Sequence, residues 1–408
     1  MTEIVITGLG SVSACGCGRA SLAAALAEGR PRLVEVDRSA GYHRAGGSRL
    51  AALTGEQDLR QWVAPMVARR MSPSSRWAVA AAGMALTDAG SEATQARDPR
   101  LAVVMATAYG AASVTEKILL QILREGPEAV SPALFTESVA NAPAAQVALS
   151  CGARGMNLTV TQRQAGPLAA LAVGAREVAS GRADRALVGA VDELSPLIHS
   201  ILDRFQALAR AESNGAEVAR PFDRHRSGFL AADGSAVVLL EREEDARQRG
   251  ARVLARVLHT GGGFDPGAGR VGLGPDPRPL AAQLERFLAR SGLVLAAVDR
   301  IVSGACGGPQ LDRAEALLLR SVWGERSLPT VLAPKGVAGE HGGGLLAAAV
   351  LTAAGAEPGP TAGFVEPDPE LGLVPHDGHP LPAPRTLLVT SLAVGGAASW
   401  VLLGAGDR

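Results

Sequence analysis

The stretch that most constrains this chain runs from Met156 to Asp192, MNLTVTQRQAGPLAALAVGAREVASGRADRALVGAVD. A β-run from Met156 to Thr161 meets a tight corner at Gln162-Arg163-Gln164-Ala165-Gly166, and a helix follows from Pro167 to Ser180, ended by Gly181. Proline suits the first turn of a helix, where its missing N–H has no intrahelical partner to lose. A second β-run, Ala186 to Val191, comes next. A strand-corner-helix unit lifts one side chain out of the sheet at the positive end of the helix, where many enzymes place a nucleophile. Here the raised residue is Gln164, and an amide is not a nucleophile.

The same alternation recurs along the chain. Glu3 to Thr7 reads as a strand closed by Gly8-Leu9-Gly10, and Arg19 to Glu28 as a helix stopped by Gly29. The 30–64 stretch has no clean period and reads as loop. Ser75 to Asp88 carries small apolar residues on every face and reads as a buried helix. Leu101 to Thr107 is a continuous apolar run, as a strand covered on both faces requires, with Tyr109-Gly110-Ala111 as its turn. Val114 to Arg124 and Pro143 to Ser150 follow as helices, with loop between, and Ser195 to Val218 is irregular. Ser235 to Glu241 is the next strand, and the alternating charges of Glu241 to Gly250 predict a solvated helix between halves. The second half then repeats strand and helix: Ala251 to His259, Pro279 to Arg290, Arg300 to Ser303, Arg313 to Val322, Thr330 to Leu332, Gly344 to Ala353, Thr386 to Ser391 and Ser399 to Leu403. Two βα-alternating halves, 1–245 and 246–408, predict an α/β protein with parallel-rich sheets and helices between and outside them.

Composition narrows the partners. The 408 residues are 47% hydrophobic, enough for one large core or two fused ones. Lys+Arg and Asp+Glu both total 40, with no long block of one sign, which argues against nucleic acid or an acidic membrane surface as partner. Cys15, Cys17, Cys151 and Cys306 are irregularly spaced, and Cys15-Gly16-Cys17 lacks the second pair of a zinc site, so no metal is expected. The opening MTEIVITGLG has no basic n-region or cleavage site, and no uncharged apolar run reaches about 18 residues. A reduced, cytoplasmic protein is the expectation.

From end to end the chain resembles the β-ketoacyl synthases of the thiolase fold. The resemblance rests on VITGLGSVSACG at the start, PFDRHRSGF and ADGSAVVLLE in the middle, LDRAE at 311–315, KGVAGEHGGG at 335–344 and SLAVGGAAS at 391–399, in that order. It implies two pseudo-repeated halves in a five-layer α-β-α-β-α core. Active members carry a cysteine at the corner and two histidines; the cysteine takes an acyl group from a carrier protein, and the histidines stabilise the enolate and oxyanion of decarboxylation and condensation. Matched motif by motif, the cysteine position falls on Gln164. Asp312 and Glu315 place the first histidine at Gly304, and Lys335 and Gly339 place the second at Glu340. All three catalytic positions are changed.

His341 is adjacent, but a helical residue one step on points about 100° away and reads as a bystander. Lys335 reads as a structural partner for Glu340, the cysteines as packing residues, and Asp223, Arg226 and Asp233 as holders of a loop network. The loss of all three catalytic groups resembles the chain-length factors. These are catalytically inactive partners of an active ketosynthase in type II polyketide systems, and they keep glutamine at the corner. That resemblance implies a heterodimer with no cofactor of its own, supplied by an acyl carrier protein whose phosphopantetheine is bound mainly by the partner. It also implies an acyl tunnel at the interface shaped by Thr107, Tyr109, Leu134, Phe135 and Val139. Two alternatives stand beside it: a decarboxylase with glutamine for cysteine that supplies starter units, and a non-catalytic acyl-binding homodimer.

Overall fold

The structure, a computed structural model, describes residues 2–91, 97–270 and 272–407. Ten strands build the framework: β1 (Ile4–Ser13), β2 (Leu101–Ala106), β3 (Asn157–Val160), β4 (Arg185–Asp192) and β5 (Gly234–Arg242) in the first half, then β6 (Ala255–Phe264), β7 (Arg300–Ser303), β8 (Thr330–Leu332), β9 (Thr386–Leu392) and β10 (Ala397–Ala405) in the second. The helices used below are α1 (Pro73–Asp88), α2 (Ala112–Glu125), α3 (Pro132–Ser138), α4 (Gly166–Ala179), α5 (Pro196–Arg204), α6 (Arg278–Ser291), α7 (Pro309–Trp323) and α8 (Gly342–Ala353).

Spatial order is β3-β2-β4-β5-β1 in the first half and β8-β7-β9-β10-β6 in the second, so the two halves repeat the same permutation. In each, the three strands at one end run parallel and the other two pair antiparallel. The half-sheets meet where Ile4, Val5 and Ile6 of β1 pair antiparallel with Val257, Arg256 and Ala255 of β6. Helices α4 and α8 pack against strands of both halves, α1 covers β1, β4 and β5 from outside, and α6 and α7 cover the second half. This is the five-layer α-β-α-β-α arrangement of the thiolase fold. One core, including Ile6, Val104, Leu168, Val238, Leu346, Val389 and Val401, runs through the central layer.

Several elements depart from the sequence reading for identifiable reasons. β1 does not stop at Gly8-Leu9-Gly10 but continues to Ser13. The glycines are there for helix α1: a Cβ on Gly8 would lie 2.0 Å from the Ala85 carbonyl oxygen, and one on Gly10 would lie 2.0 Å from that of Ala81. β6 likewise runs through Gly261 to Phe264, with the Phe287 ring lying where a Gly261 side chain would be. The charged 241–250 run is not one solvated helix. Glu241 is a buried strand residue paired with Arg249 at 2.5 Å, and only Glu243–Gln248 is helical. The irregular 195–218 stretch begins with helix α5, whose Ser195 hydroxyl accepts the Ile198 N–H at 3.3 Å.

The close approach of α1 to β1 is directly testable. Gly10→Ala is expected to lower the unfolding free energy by about 3 kcal/mol through overpacking against backbone. Gly269→Ala, where an added Cβ meets nothing within 4 Å, should leave the urea midpoint unchanged.

Candidate functional site

Parallel α/β sheets place their ligands beyond the carboxyl ends of the strands, and the singled-out residues gather there. Thr107 follows β2, the corner follows β3, Asp192 ends β4, Gly304 follows β7, and Lys335 lies shortly after β8. The corner itself is a short 3₁₀ turn, Arg163–Ala165, leading directly into α4. Arg163 holds a left-handed backbone, φ 47°, a conformation that costs a non-glycine residue roughly 1 kcal/mol or more. The next residue, Gln164, has its Oε1 buried without a hydrogen-bond partner among the described residues.

The structure brings the three changed positions into one region. Ser391 on β9 donates its hydroxyl to the Gln164 carbonyl at 2.7 Å, and it also flanks Gly304: a Cβ there would lie 3.1 Å from Ser391 Cα and 3.0 Å from the Thr390 carbonyl oxygen. The Gly304 N–H donates to Glu315 at 3.2 Å, and the Thr390 hydroxyl also hydrogen-bonds that carboxyl. Asp312 accepts the N–H groups of Phe222, Cys306 and Gly307 at 2.9–3.0 Å. A Cβ at Gly304 would thus be tight against β9, and the acidic pair Asp312 and Glu315 organises backbone. Burial pushes the Asp312 carboxyl up to about 6 and that of Glu315 up to about 7.

At the third position Lys335 Nζ donates to both oxygens of Glu340, at 2.9 and 3.0 Å, and the two side chains are only 1% and 6% exposed. Burial works to lower the pKa of Lys335, but the Glu340 carboxylate and neighbouring Cys306 raise it overall. His341 is not one helical step beyond Glu340. Glu340 and His341 lie in an extended link, with Glu340 bridged to Ala231 and His341 at φ −144°, ψ 151° capping α8. His341 is nonetheless enclosed. Its ring nitrogens are buried without partners among the described residues, and burial, aided by the Lys335 charge, pushes its pKa down to about 4, leaving it neutral near pH 7.

Tyr109 is half-buried, with its hydroxyl sunk among Asp192, Glu340 and Cys306; enclosure and those charges raise its pKa, against the opposing charge of Arg163. Thr107 is committed to the turn that presents it: its hydroxyl reaches Asp192 at 3.3 Å and accepts the Gly110 N–H at 2.9 Å. Leu134 and Phe135 sit on helix α3, not on a loop, because Pro132 starts a helix readily. Phe135 is 63% exposed and Val139, just past α3, 37%. Cys306 is fully enclosed and burial drives its thiol well above its ordinary value, so it is no nucleophile. Cys15, Cys17 and Cys151 are free thiols, also raised by burial.

Sequence reasoning missed two organisers. Asp192 accepts the N–H groups of Ala108 at 2.6 Å and Gly342 at 2.9 Å, tying the Tyr109 turn to the start of α8. Its signal was a carboxylate closing an otherwise apolar strand. Ser391 was visible only as part of a motif. The loop network is as read from the sequence: Asp223 accepts Val365 and Glu366 N–H groups at 2.6 and 2.7 Å, Arg226 pairs with Asp368 at 2.6 Å, and Asp233 accepts the Thr54 N–H at 2.6 Å.

Two outcomes follow from these buried charges. Lys335→Met strands Glu340 and should cost about 3–5 kcal/mol, whereas Lys335→Met with Glu340→Leu should recover most of it in urea unfolding. Glu315 holds its proton in the fold up to about pH 7 and releases it near 4.5 when unfolded, so its contribution is full below 4.5 and is lost as pH rises through 7. Relative to Glu315→Gln, wild-type stability should fall between about pH 5 and about pH 8.

Comparison with known proteins places this geometry. The model of the β-ketoacyl synthase N-terminal domain matches residues 1–246. The ketoacyl synthase beta subunit of the tetracenomycin polyketide synthase of Streptomyces glaucescens is 30% identical over 407 residues, 96% of this chain and 96% of that one. The corresponding alpha subunit is 29% identical over 389 residues, 91% of this chain and 89% of its own. The solved ishigamide ketosynthase/chain length factor matches with a TM-score of 0.89 at 27% identity, covering 99% of both chains. With more than half its length matched by the family model, and that 30% identity sustained almost end to end, this chain belongs to the β-ketoacyl synthase family.

Proposed function

We propose that this chain is the non-catalytic partner of an active β-ketoacyl synthase, a chain-length factor that shapes the acyl tunnel in type II polyketide biosynthesis. Near-equal identity to alpha and beta subunits does not choose between active and inactive roles, so the site must. The observation that carries the reading is the chemistry of the three positions: an amide at Gln164, a glycine at Gly304 with no side chain to offer, and Glu340 paired with Lys335. Condensation needs a nucleophile to take the acyl group, and the amide of Gln164 is not one. In this reading the chain carries no cofactor, and acyl groups arrive on the phosphopantetheine of a carrier protein held mainly by the partner. A decarboxylase would set its enolate beside the Glu340 carboxylate, and no observation favours that reading.

An exposed sheet edge and apolar surface support a partner. β3 ends the sheet and pairs on one side only, and an unpaired edge is a template for another strand. Leu158 on that edge is 40% exposed, and Leu149, Leu123 and Phe135 are 74%, 81% and 63% exposed. Tyr109 reaches the centre from the turn after β2, while Leu134, Phe135 and Val139 lie on the outer segment. The tunnel of this reading runs between them and the partner.

Incubated alone with acyl- or malonyl-loaded carrier protein, the purified chain should gain no acyl mass by intact mass spectrometry; an adduct on this chain would sink the reading. Co-expressed with a ketosynthase that keeps its cysteine and both histidines, it should elute as a heterodimer. Tyr109→Ala and Tyr109→Trp in that complex should shift product length in opposite directions, and identical products from both would remove Tyr109 from the tunnel.

A further inference from the structure

Helix α5 turns a histidine inward, where it meets a second one. His199 is fully buried, and its Nδ1 lies 3.1 Å from Nε2 of the half-buried His43. The Leu50 carbonyl oxygen, 3.4 Å from His199 Nε2, fixes which ring atoms carry hydrogen. A carbonyl only accepts, so His199 is protonated at Nε2 and bare at Nδ1, and His43 donates to that bare nitrogen from its own Nε2. His43 Nδ1 is then bare as well, buried and without a partner among the described residues.

These contacts join the 36–50 segment to α5. Asp203, also on α5, accepts the Ser48 N–H at 3.0 Å and pairs with Arg44 at 2.9 Å. Glu217 accepts the Ser48 hydroxyl at 2.6 Å and the Arg49 and Leu50 N–H groups at 2.8 and 3.0 Å. The Tyr42 hydroxyl donates to Glu116 of α2 at 2.6 Å. Val36 and Ala51, at the two ends of the segment, pack in the apolar cluster that contains Cys306, Phe229 and Ala231. Ala231 is the residue bridged to Glu340, so the segment abuts the backbone of the old centre.

Two neutral rings fit this site, and a second proton on either does not. On His199 it would sit at Nδ1 and face the hydrogen on His43 Nε2. On His43 it would sit at Nδ1, where no acceptor waits. The charged groups around the rings are Arg38, Arg44 and Asp37 of the segment, Asp203 of α5 and Glu217. Both buried carboxylates are committed to Arg44, Ser48 and backbone N–H groups, and neither bonds a ring nitrogen. Burial lowers the pKa of both rings. Arg38 adds to this at His43, against Asp203 and Asp37; at His199 the bond to Leu50, Glu217 and Asp203 oppose it, and His43 adds to it.

We propose that His43 and His199 form an acid-sensitive latch: as two neutral rings they hold the 36–50 segment on α5, and protonation in mildly acidic solution releases it. Released rings titrate near about 6.5 and held rings lower, so the latch is closed above about pH 6.5 and weakens as pH falls below that value. The device lies within this chain, whatever its partner.

Amide hydrogen exchange of the full chain, read by mass spectrometry with each rate divided by the intrinsic rate at its pH, measures the opening of a peptide spanning 43–50. Between about pH 8 and about pH 5.5 its opening constant should rise about a hundredfold, about tenfold for each ring that gains a proton on release. His43→Gln keeps an N–H donor without titrating and should cut the rise to about tenfold. His43→Gln with His199→Gln should show no rise, and a β9 peptide should show none in any of the proteins. A wild-type rise below about tenfold, a rise in His43→Gln as large as in wild type, a rise in the double variant, or an equal rise in β9 would each overturn the proposal. Should the double variant fail to fold, His43→Gln, at the half-buried position, carries the test.

Discussion

The two half-sheets share one core because the helices between them begin with glycine and pack closely through small residues. Every residue of α8, GGGLLAAAVLTA, is buried. A Cβ on Gly342 would lie 2.8 Å from Pro167 Cγ at the head of α4, and one on Gly343 would lie 2.6 Å from the Ala236 backbone nitrogen of β5. That contact fixes the distance between helix starts, and so fixes where the corner, Asp192 and Glu340 stand relative to one another. The chain's 49 glycines, against 4 Trp, 2 Tyr and 7 Phe, are the compositional trace of a fold held by close backbone approach.

Within that frame the polar groups have been re-employed. The buried Lys335–Glu340 pair is not evidence of stability in itself, since desolvating two charges offsets much of their attraction. What it does is give a lysine that is 1% exposed the carboxylate it would otherwise lack in the interior. Glu315 and Asp312 hold the Gly304–Gly307 backbone through its N–H groups. Asp192 joins the turn bearing Tyr109 to α8. These carboxylates hold the scaffold through hydrogen bonds to backbone, which do not depend on the side chains at Gln164, Gly304 and Glu340.

Much of this was legible beforehand, for physical reasons. The corner declared itself because proline and glycine restrict where a strand can turn into a helix, and the alternating halves because buried strands and small-residue helices differ in period. The extent of β1 was not legible. Gly8 and Gly10 look like turn residues unless one knows that α1 lies on them. The geometry of Glu340 and His341 was also hidden, since a helical register was assumed across what is an extended link. Leu134 and Phe135 were read as loop because seven residues carry too little periodicity to declare a helix. Asp192 and Ser391 could be recognised only once residues far apart in sequence were brought together, which no local pattern contains.

The bond from Ser391 to the Gln164 carbonyl has a mechanical consequence. It spans from the second half of the molecule to the first, and it grips backbone that any residue at the corner would supply. The turn behaves as a rivet between two slabs. Its strained left-handed step at Arg163 is the bend that lets the rivet close. Shear between the slabs would load that one hydrogen bond at the very turn that leads into α4.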